Sequence, residues 1–501
     1  MVLITRFLRR ILRALSNLLG IGLDEEEMLG IKHHKKKKSS SSSSSKGGGK
    51  GSAGKGGGSK GGGGKSGGGG KGGRSAAARE RDDSSDSDED DKPIGVVKKS
   101  VVGGGKRSFK GKGGGGGGGG DEASHKLHIN TLKGHTDTVN MASFSGDGKA
   151  VVTACDDMTV RLFRLGEAVT SKNPHILRIP LDKERATGVV FSSPGASGKG
   201  ASDGIVTTGA SPTGETSLTR YAISATTAPE VKYEKKRALD GMRSISLACG
   251  GGGEGVAAGA GGATIRVPPI VVSSSDETEL RVWAVDTGAE IARLDTLQFK
   301  NHNAAVSPDG RFVAAACFTA DVKIWEVLRS KERGGVPVGM DTKNASMLLK
   351  GHKGAVQWVA FTQDAKGVVT VSKDKTMKLW NIDVRYGVNE DPKVIASMDI
   401  SRDMNGGKTL PTRVAVSPRG VIAVVMGGTA LVFYEMGQGV PGGGRVLERV
   451  EGAHGGEEVT WMEWSRRTHK MSDAAGGGEA DVLVTSGADR KAKLWRAPPG
   501  A

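Results

Sequence analysis

Two distant segments of this chain repeat one another, and that repeat restricts the fold more than any other feature. The first runs Leu132-Lys133-Gly134-His135, Val139 to Phe144, Ala150 to Thr153, Asp157 and Thr159-Val160-Arg161-Leu162-Phe163. The second runs Leu349-Lys350-Gly351-His352, Val356 to Phe361, Val368 to Val371, Asp374 and Thr376-Met377-Lys378-Leu379-Trp380. Each is a set of short alternating strands separated by turn residues such as Gly146-Asp147-Gly148, too tightly spaced for intervening helices. The sheets must therefore be antiparallel. Weaker copies end at Tyr221, Trp283, Trp325, Phe433 and Trp495, as in Leu280-Arg281-Val282-Trp283, Val322-Lys323-Ile324-Trp325 and Ala492-Lys493-Leu494-Trp495.

A period of roughly 40 to 50 residues is the mark of stacked four-stranded units. About seven such units can close into a ring. These residues resemble the WD repeat family, in which Gly-His opens a repeat, Asp sits in a tight turn and an aromatic residue closes the third strand. The expected fold is all-β: a seven-bladed WD40 β-propeller over residues 125–497, preceded by a basic amphipathic helix (1–23) and a long disordered Gly/Ser/Lys-rich arm (24–124). The resemblance implies a buried chain of hydrogen bonds from His through Ser or Thr and Asp to Trp. In the fifth blade it maps to His352, Thr370 or Ser372, Asp374 and Trp380; in the first, His135, Thr153 and Asp157 match, but Phe163 replaces Trp. Asn301-His302 and Ala453-His454 read as eroded versions of the Gly-His pair.

A Ser/Thr, His and Asp set invites a hydrolase reading, but in such a blade those groups hold two loops together and lack a cleft or oxyanion donors. No catalytic, cofactor-binding or metal-binding residue is expected. Phosphate-loop signals fail as well, because Gly64-Lys65-Ser66 and Gly407-Lys408-Thr409 have Ser59 and Arg402 where the leading Gly belongs. The run Gly250 to Gly262 is a homopolymer-like insertion.

In WD topology, residues from about His125 to Leu132 form the outermost strand of the last blade and close the ring. The Gly-His loops and Asp turns then share one face. The insertions Ser193 to Asp203, Gly250 to Pro269, Leu328 to Ala345 and Arg466 to Glu479 fall on the other. On the Gly-His face, Thr136, Asp137, Lys353, Trp358, Lys373 and Lys375 are the candidate partner contacts, since binding energy concentrates on rigid exposed loops with aromatic and charged residues. Trp358 has packing inside its blade as an alternative.

Composition explains the rest of the chain. With 81 Gly and only 4% aromatic residues in 501, the chain is not one uniformly packed globule. Residues 31–120 are almost entirely Gly, Ser and Lys, with little to bury against the entropy of ordering. About +12 of the formal net charge of +17 lies before Leu127. Cys155, Cys249 and Cys317 are too scattered for a disulfide framework or zinc site, which points to a reducing compartment.

In the N-terminal segment, Ile4, Phe7, Leu8, Ile11, Leu15, Leu18 and Leu19 recur at helical spacing opposite Arg6, Arg9 and Arg13. The arginines break the apolar run well short of a membrane span. The readings are a helix lying on an anionic membrane surface through Arg6, Phe7, Arg9, Arg10 and Arg13, an organelle presequence, or a docking helix. Lys35 to Lys38 and the Lys-Gly-Gly units could hold RNA phosphates, but Phe109 is the sole aromatic residue there. Ser84, Ser85 and Ser87, set among acids, suit an acid-directed kinase.

A denser resemblance within the family covers Asn303 to Ala314, Phe318 to Val327 and Val371 to Thr376. It implies a propeller tethered at the endoplasmic reticulum, facing the cytosol, that scaffolds stress-signalling and translation proteins. Those relatives begin with an apolar anchor, where this chain has arginines. The expected molecule is a non-enzymatic scaffold, a monomeric propeller with protein partners on the Gly-His face. The alternative is a nuclear or ribosome-associated RNA-binding scaffold using the lysine-rich arm.

Overall fold

The computed structural model describes residues 125–499, apart from loop segments 166–173, 196–203, 225–226, 238–243, 257–263, 276–277, 297–300, 331–333 and 472–476. The expected helix at 1–23 and arm at 24–124 lie outside the described residues.

Seven antiparallel blades make up the fold, six of four strands and one, blade 4, with a fifth strand, Val336–Met340, paired to the end of its long third strand. Naming strands a to d from the inside outward, blade 1 is Val139–Phe144, Ala150–Cys155, Thr159–Arg164 and His175–Pro180. Blade 2 is Arg185–Phe191, Gly204–Ala210, Thr216–Ala222 and Glu230–Lys236, and blade 3 is Ser244–Gly250, Ile270–Ser275, Glu279–Ala284 and Glu290–Asp295. Blade 4 has Asn301–Val306, Phe312–Cys317, Val322–Ser330 and Met347–Leu349. Blade 5 is Val356–Phe361, Gly367–Ser372, Thr376–Asn381 and Lys393–Asp399; blade 6 is Pro411–Val416, Ile422–Met426, Ala430–Met436 and Gly444–Val450. Blade 7 takes Val459–Trp464, Val482–Gly487 and Ala492–Arg496 from the C-terminus and His128–Leu132 as its outer strand. Each a strand packs beside the next, and that of blade 7 returns to blade 1.

Side-chain pattern explains this layering. The b strands are runs of β-branched and small residues, AVVTAC, IVVSSS, FVAAAC and GVVTVS, buried at every position because both faces press on neighbouring blades. The d strands, such as EIARLD, alternate, since one face meets solvent. The aromatic residue ending each copy lands at one register: Phe163 opposite Val151, Tyr221 opposite Ile205, Trp283 opposite Val271 and Trp325 opposite Val313. Trp380, Phe433 and Trp495 sit likewise opposite Val368, Ala423 and Leu483.

Ring closure is made by His128–Leu132 paired with Ala492–Arg496, Leu132 lying opposite Ala492. The four insertions join a to b or c to d strands, which puts them on one face. That face is stitched across blades. Gly195 N–H donates to Gly251 O at 3.0 Å and Gly251 N–H to Pro308 O at 3.1 Å. Arg329 caps the carbonyls of Pro268, Gly335 and Gly310 at 2.9, 3.0 and 2.7 Å. Arg466, from blade 7, reaches over to Pro308 O and Cys249 O at 3.2 and 3.3 Å.

Candidate functional site: the histidine clasps and the face they shape

In blade 5, His352 Nδ1 lies 2.9 Å from Asp374 Oδ2 and its Nε2 lies 2.7 Å from Thr370 Oγ1, which accepts from Trp380 Nε1 at 2.9 Å. Trp can only donate and the carboxylate only accept, so the order is fixed. Trp380 donates to Thr370, the Thr370 hydroxyl to His352 Nε2, and His352 Nδ1–H to Asp374. Of the two hydroxyls expected at this place, Thr370 is the member. Ser372 instead donates to Gly354 O at 2.9 Å, tying down the loop after the histidine.

Blade 1 repeats this arrangement with His135, Asp157 and Thr153 at 2.9 and 2.7 Å. Phe163 gives Thr153 no donor, so one acceptor site on its oxygen goes unused. Phe163→Trp is therefore expected to stabilise the chain by about 1 kcal/mol, read as a higher urea midpoint. A Thr153→Val background should remove the gain.

Blade 7 carries a full clasp that its sequence hides. His454 meets Asp489 at 2.7 Å and Thr485 at 2.8 Å, and Trp495 Nε1 donates to Thr485 at 2.8 Å. The hydroxyl-to-indole spacing of ten residues is kept in blades 5 and 7, but the insertion at 466–479 stretches the histidine-to-hydroxyl separation from 18 to 31. Ala453-His454 is thus a working equivalent of Gly-His. In blades 1 and 5 the glycine before the histidine has φ of +131° and +145°. Ala453 does not take that conformation, and the clearance comes from Gly487 on strand b, where a Cβ would strike the His454 ring. Asn301-His302, by contrast, lies inside strand a of blade 4, with His302 Nδ1 on Val356 O at 2.8 Å. His302 does not stand at the clasp position, which corrects that expectation.

Burial drives the clasp electrostatics. It pulls the imidazoles of His135, His352 and His454 below their ordinary value near 6.5, despite the opposing carboxylates. Burial also opposes the Asp157 and Asp374 carboxylates. Hydrogen bonds, first from Thr159 and Thr376, outweigh it and bring both to about 2. Cys155 lies close enough to His135 and Asp157 to suggest a metal site. Its thiol, raised to about 12 by burial, donates to Asp137 O at 3.2 Å, and both ring nitrogens of His135 are engaged. These donors do not fit a metal ion. Thr370 and Thr485 are buried too, beyond the reach of a substrate.

Acid sensitivity follows from these environments. Four buried histidines, the clasp trio and His469, have lowered values, so their stabilising contribution is complete above about pH 6.5 and is lost as pH falls. Glu463, raised by burial to about 7, works in the opposite direction: its contribution is present below about 4.5 and is lost as pH rises through about 7. Histidines outnumber the glutamate, so the urea midpoint should fall from pH 7 to pH 5. Glu463→Gln should make that fall steeper.

The clasps set the loops of the Gly-His face. Lys353 N–H and Thr136 N–H donate to the clasp aspartates at 2.8 and 3.2 Å. The side chains of Thr136, Asp137, Lys353, Lys373 and Lys375 are left exposed on rigid backbone. Trp358 is different, taking the alternative of packing in its blade rather than standing on a loop. It lies in strand a of blade 5, 8% exposed, with its indole edge-on to Trp461 at 5.6 Å. The two indoles line a central cavity of about 160 Å³ that extends to Cys249, Pro308 and Arg466 at the stitched face. Sequence reasoning missed Trp461 and Arg413. The signal available was positional, since Val356-x-Trp358 and Val459-x-Trp461 open equivalent strands.

Fold and clasps together define a seven-bladed β-propeller. Residues 127–164 and 344–381 match the family model "WD domain, G-beta repeat", the first spanning the closing strand and strands a to c of blade 1. The chain is similar to Transducin beta-like protein 2 of Homo sapiens (28% identical over 325 residues, 63% of this chain and 64% of that one). It is also similar to the Mus musculus protein of that name, at 27% identity over 63% of this chain and 64% of that one. A weaker likeness is to Nuclear distribution protein PAC1 of Arthroderma otae, at 25% over 50% of this chain and 51% of that one. The matches thus span 64% of the length of the first two relatives.

Proposed function

We propose that this chain is a non-catalytic protein-interaction scaffold held at the cytosolic face of the endoplasmic reticulum membrane, serving partners in stress signalling and translation control. One observation supports it above the others: the two faces differ. One is stitched shut by Arg329, Arg466 and the glycine loops. The other presents Thr136, Asp137, Lys353, Lys373 and Lys375 on clasped, preordered loops, and preordering lowers the entropy cost of binding. The likeness to Transducin beta-like protein 2 and the resemblance of blades 4 and 5 favour the membrane setting. Among the described residues no helix is long and apolar enough to cross a membrane. The proposed tether is the segment 1–23, through Arg6, Phe7, Arg9, Arg10 and Arg13.

The test compares a fluorescent fusion of residues 1–30 with the full chain. Reticular labelling by both and salt-resistant flotation with vesicles are the expected results; import into an organelle refutes the tether. The lysine-rich composition of residues 31–120 favours the second reading, an RNA-binding scaffold in the nucleus or on ribosomes. That reading requires nucleic-acid affinity that collapses with salt and disappears when those residues are removed.

A further inference from the structure

At the inner edge of the Gly-His face, the seam between blades 5 and 6 gathers buried polar groups without partners among the described residues. In blades 1, 4 and 7 the second residue of strand a bridges to the backbone of the next blade: Asn140 Nδ2 donates to Ala186 O, His302 Nδ1 bonds Val356 O, and the Thr460 hydroxyl donates to Val139 O. Gln357 holds that position in blade 5, and its Nε2 has no partner among the described residues. Across the seam Arg413 lies over the Trp358 ring, 5.5 Å from its centroid, with Trp461 edge-on to the same indole. The Arg413 side chain is only 17% exposed, and Glu458, the nearest carboxylate, is 4.0 Å away. Its Nε and the Trp461 Nε1 are also without partners among the described residues. Burial draws the guanidinium down to about 10.

A desolvated cation with no hydrogen-bonded counter-charge is costly to keep, and the surrounding unpaired groups can only donate. A group that completes this set accepts hydrogen bonds, and a negative one gains most from the guanidinium. Exposed Lys353, Lys373, Lys375 and Lys408, from the loops of blade 5 and the loop leading into blade 6, add attraction over a longer range. Exposed Glu457 and Glu458 adjoin the seam on the blade 7 side. They disfavour a polyanionic strand, whose phosphates would crowd them, and leave room for one isolated carboxylate.

We propose that Arg413, flanked by Trp358 and Trp461, is an anion socket on the Gly-His face that takes an aspartate or glutamate side chain of a protein partner. The inference rests on the reading of that face as the partner-binding one. The full chain would be panned against a library of randomised dodecapeptides, alongside the Arg413→Gln and Lys353→Glu/Lys373→Glu variants. One selected peptide would then be titrated by tryptophan fluorescence.

The expected result is enrichment of Asp or Glu at one fixed position, lost in Arg413→Gln, with the selected peptide bound at least about tenfold more weakly by that variant. The urea midpoint of Arg413→Gln should be unchanged or raised, because a largely desolvated cation without a hydrogen-bonded carboxylate is removed. Three outcomes overturn the socket: no acidic enrichment, the same enrichment in Arg413→Gln, or a variant that unfolds, which would make Arg413 structural. Preference for an oligouridylate over the peptide, abolished by the same variant, overturns the choice of a protein partner. Selection lost in Lys353→Glu/Lys373→Glu but indifferent to Arg413 removes the socket and leaves the scaffold reading standing. No selection by any form removes both.

Discussion

Deletion of residues 1–132 is expected to make the propeller aggregate. It removes His128–Leu132, the outer strand of blade 7, and exposes the backbone edge of Ala492–Arg496. Leu127 and Leu132, both buried, go with it. Each buried Leu contributes roughly 1.5–3 kcal/mol, and the lost ladder adds to this. The combined loss approaches the ~5–15 kcal/mol that holds a typical domain together. The bared strand, with Leu494 and Trp495 uncovered, is a template for pairing with another copy. Size-exclusion chromatography should show large assemblies for this truncation, whereas a chain beginning at Asp121 should elute as a single species. A synthetic peptide of residues 125–135 added during refolding should restore solubility. A truncated chain that stays monomeric with an unchanged urea midpoint would show that the ring does not need this strand.

The second large effect is expected from one methyl group. Gly487→Ala places a Cβ against the His454 ring and should lower stability by about 3 kcal/mol, since two buried hydrogen bonds are lost and Asp489 is left desolvated. Strand register puts Ser372 and Cys155 at the same place in blades 5 and 1, opposite Val356 and Val139 as Gly487 is opposite Val459. Ser372→Ala and Cys155→Ala should cost no more than about 1 kcal/mol. The informative measurement is a double-mutant cycle. Once His454→Ala has emptied the space, Gly487→Ala should become nearly neutral. Full additivity of the two changes would show that they do not meet.

How much could be read without coordinates depended on how local the signal was. The clasps of blades 1 and 5 were legible because histidine, hydroxyl and aspartate recur at fixed separations within one uninterrupted blade. The blade 7 clasp was not, since an insertion lengthened the spacing and the marker glycine had moved from before the histidine to the facing strand. His302 misled for the complementary reason: an Asn-His pair looked like a weakened Gly-His, yet strand alternation directs it to the next blade. Trp358 was ambiguous because a strand residue near a loop can face either direction.

The sequence by itself determined the number and closing order of the blades, the mapping of insertions to one face, and the two regular clasps, because strand period, turn chemistry and repeat length are local properties of the chain. Only the tertiary structure decided that Trp358, Arg413 and Trp461 meet at one seam, that Gly487 makes room for His454, and that Arg466 reaches carbonyls in blades 3 and 4. Those contacts join residues far apart in the chain. Their existence depends on how ring closure rotates each blade against its neighbours, and no local pattern records that.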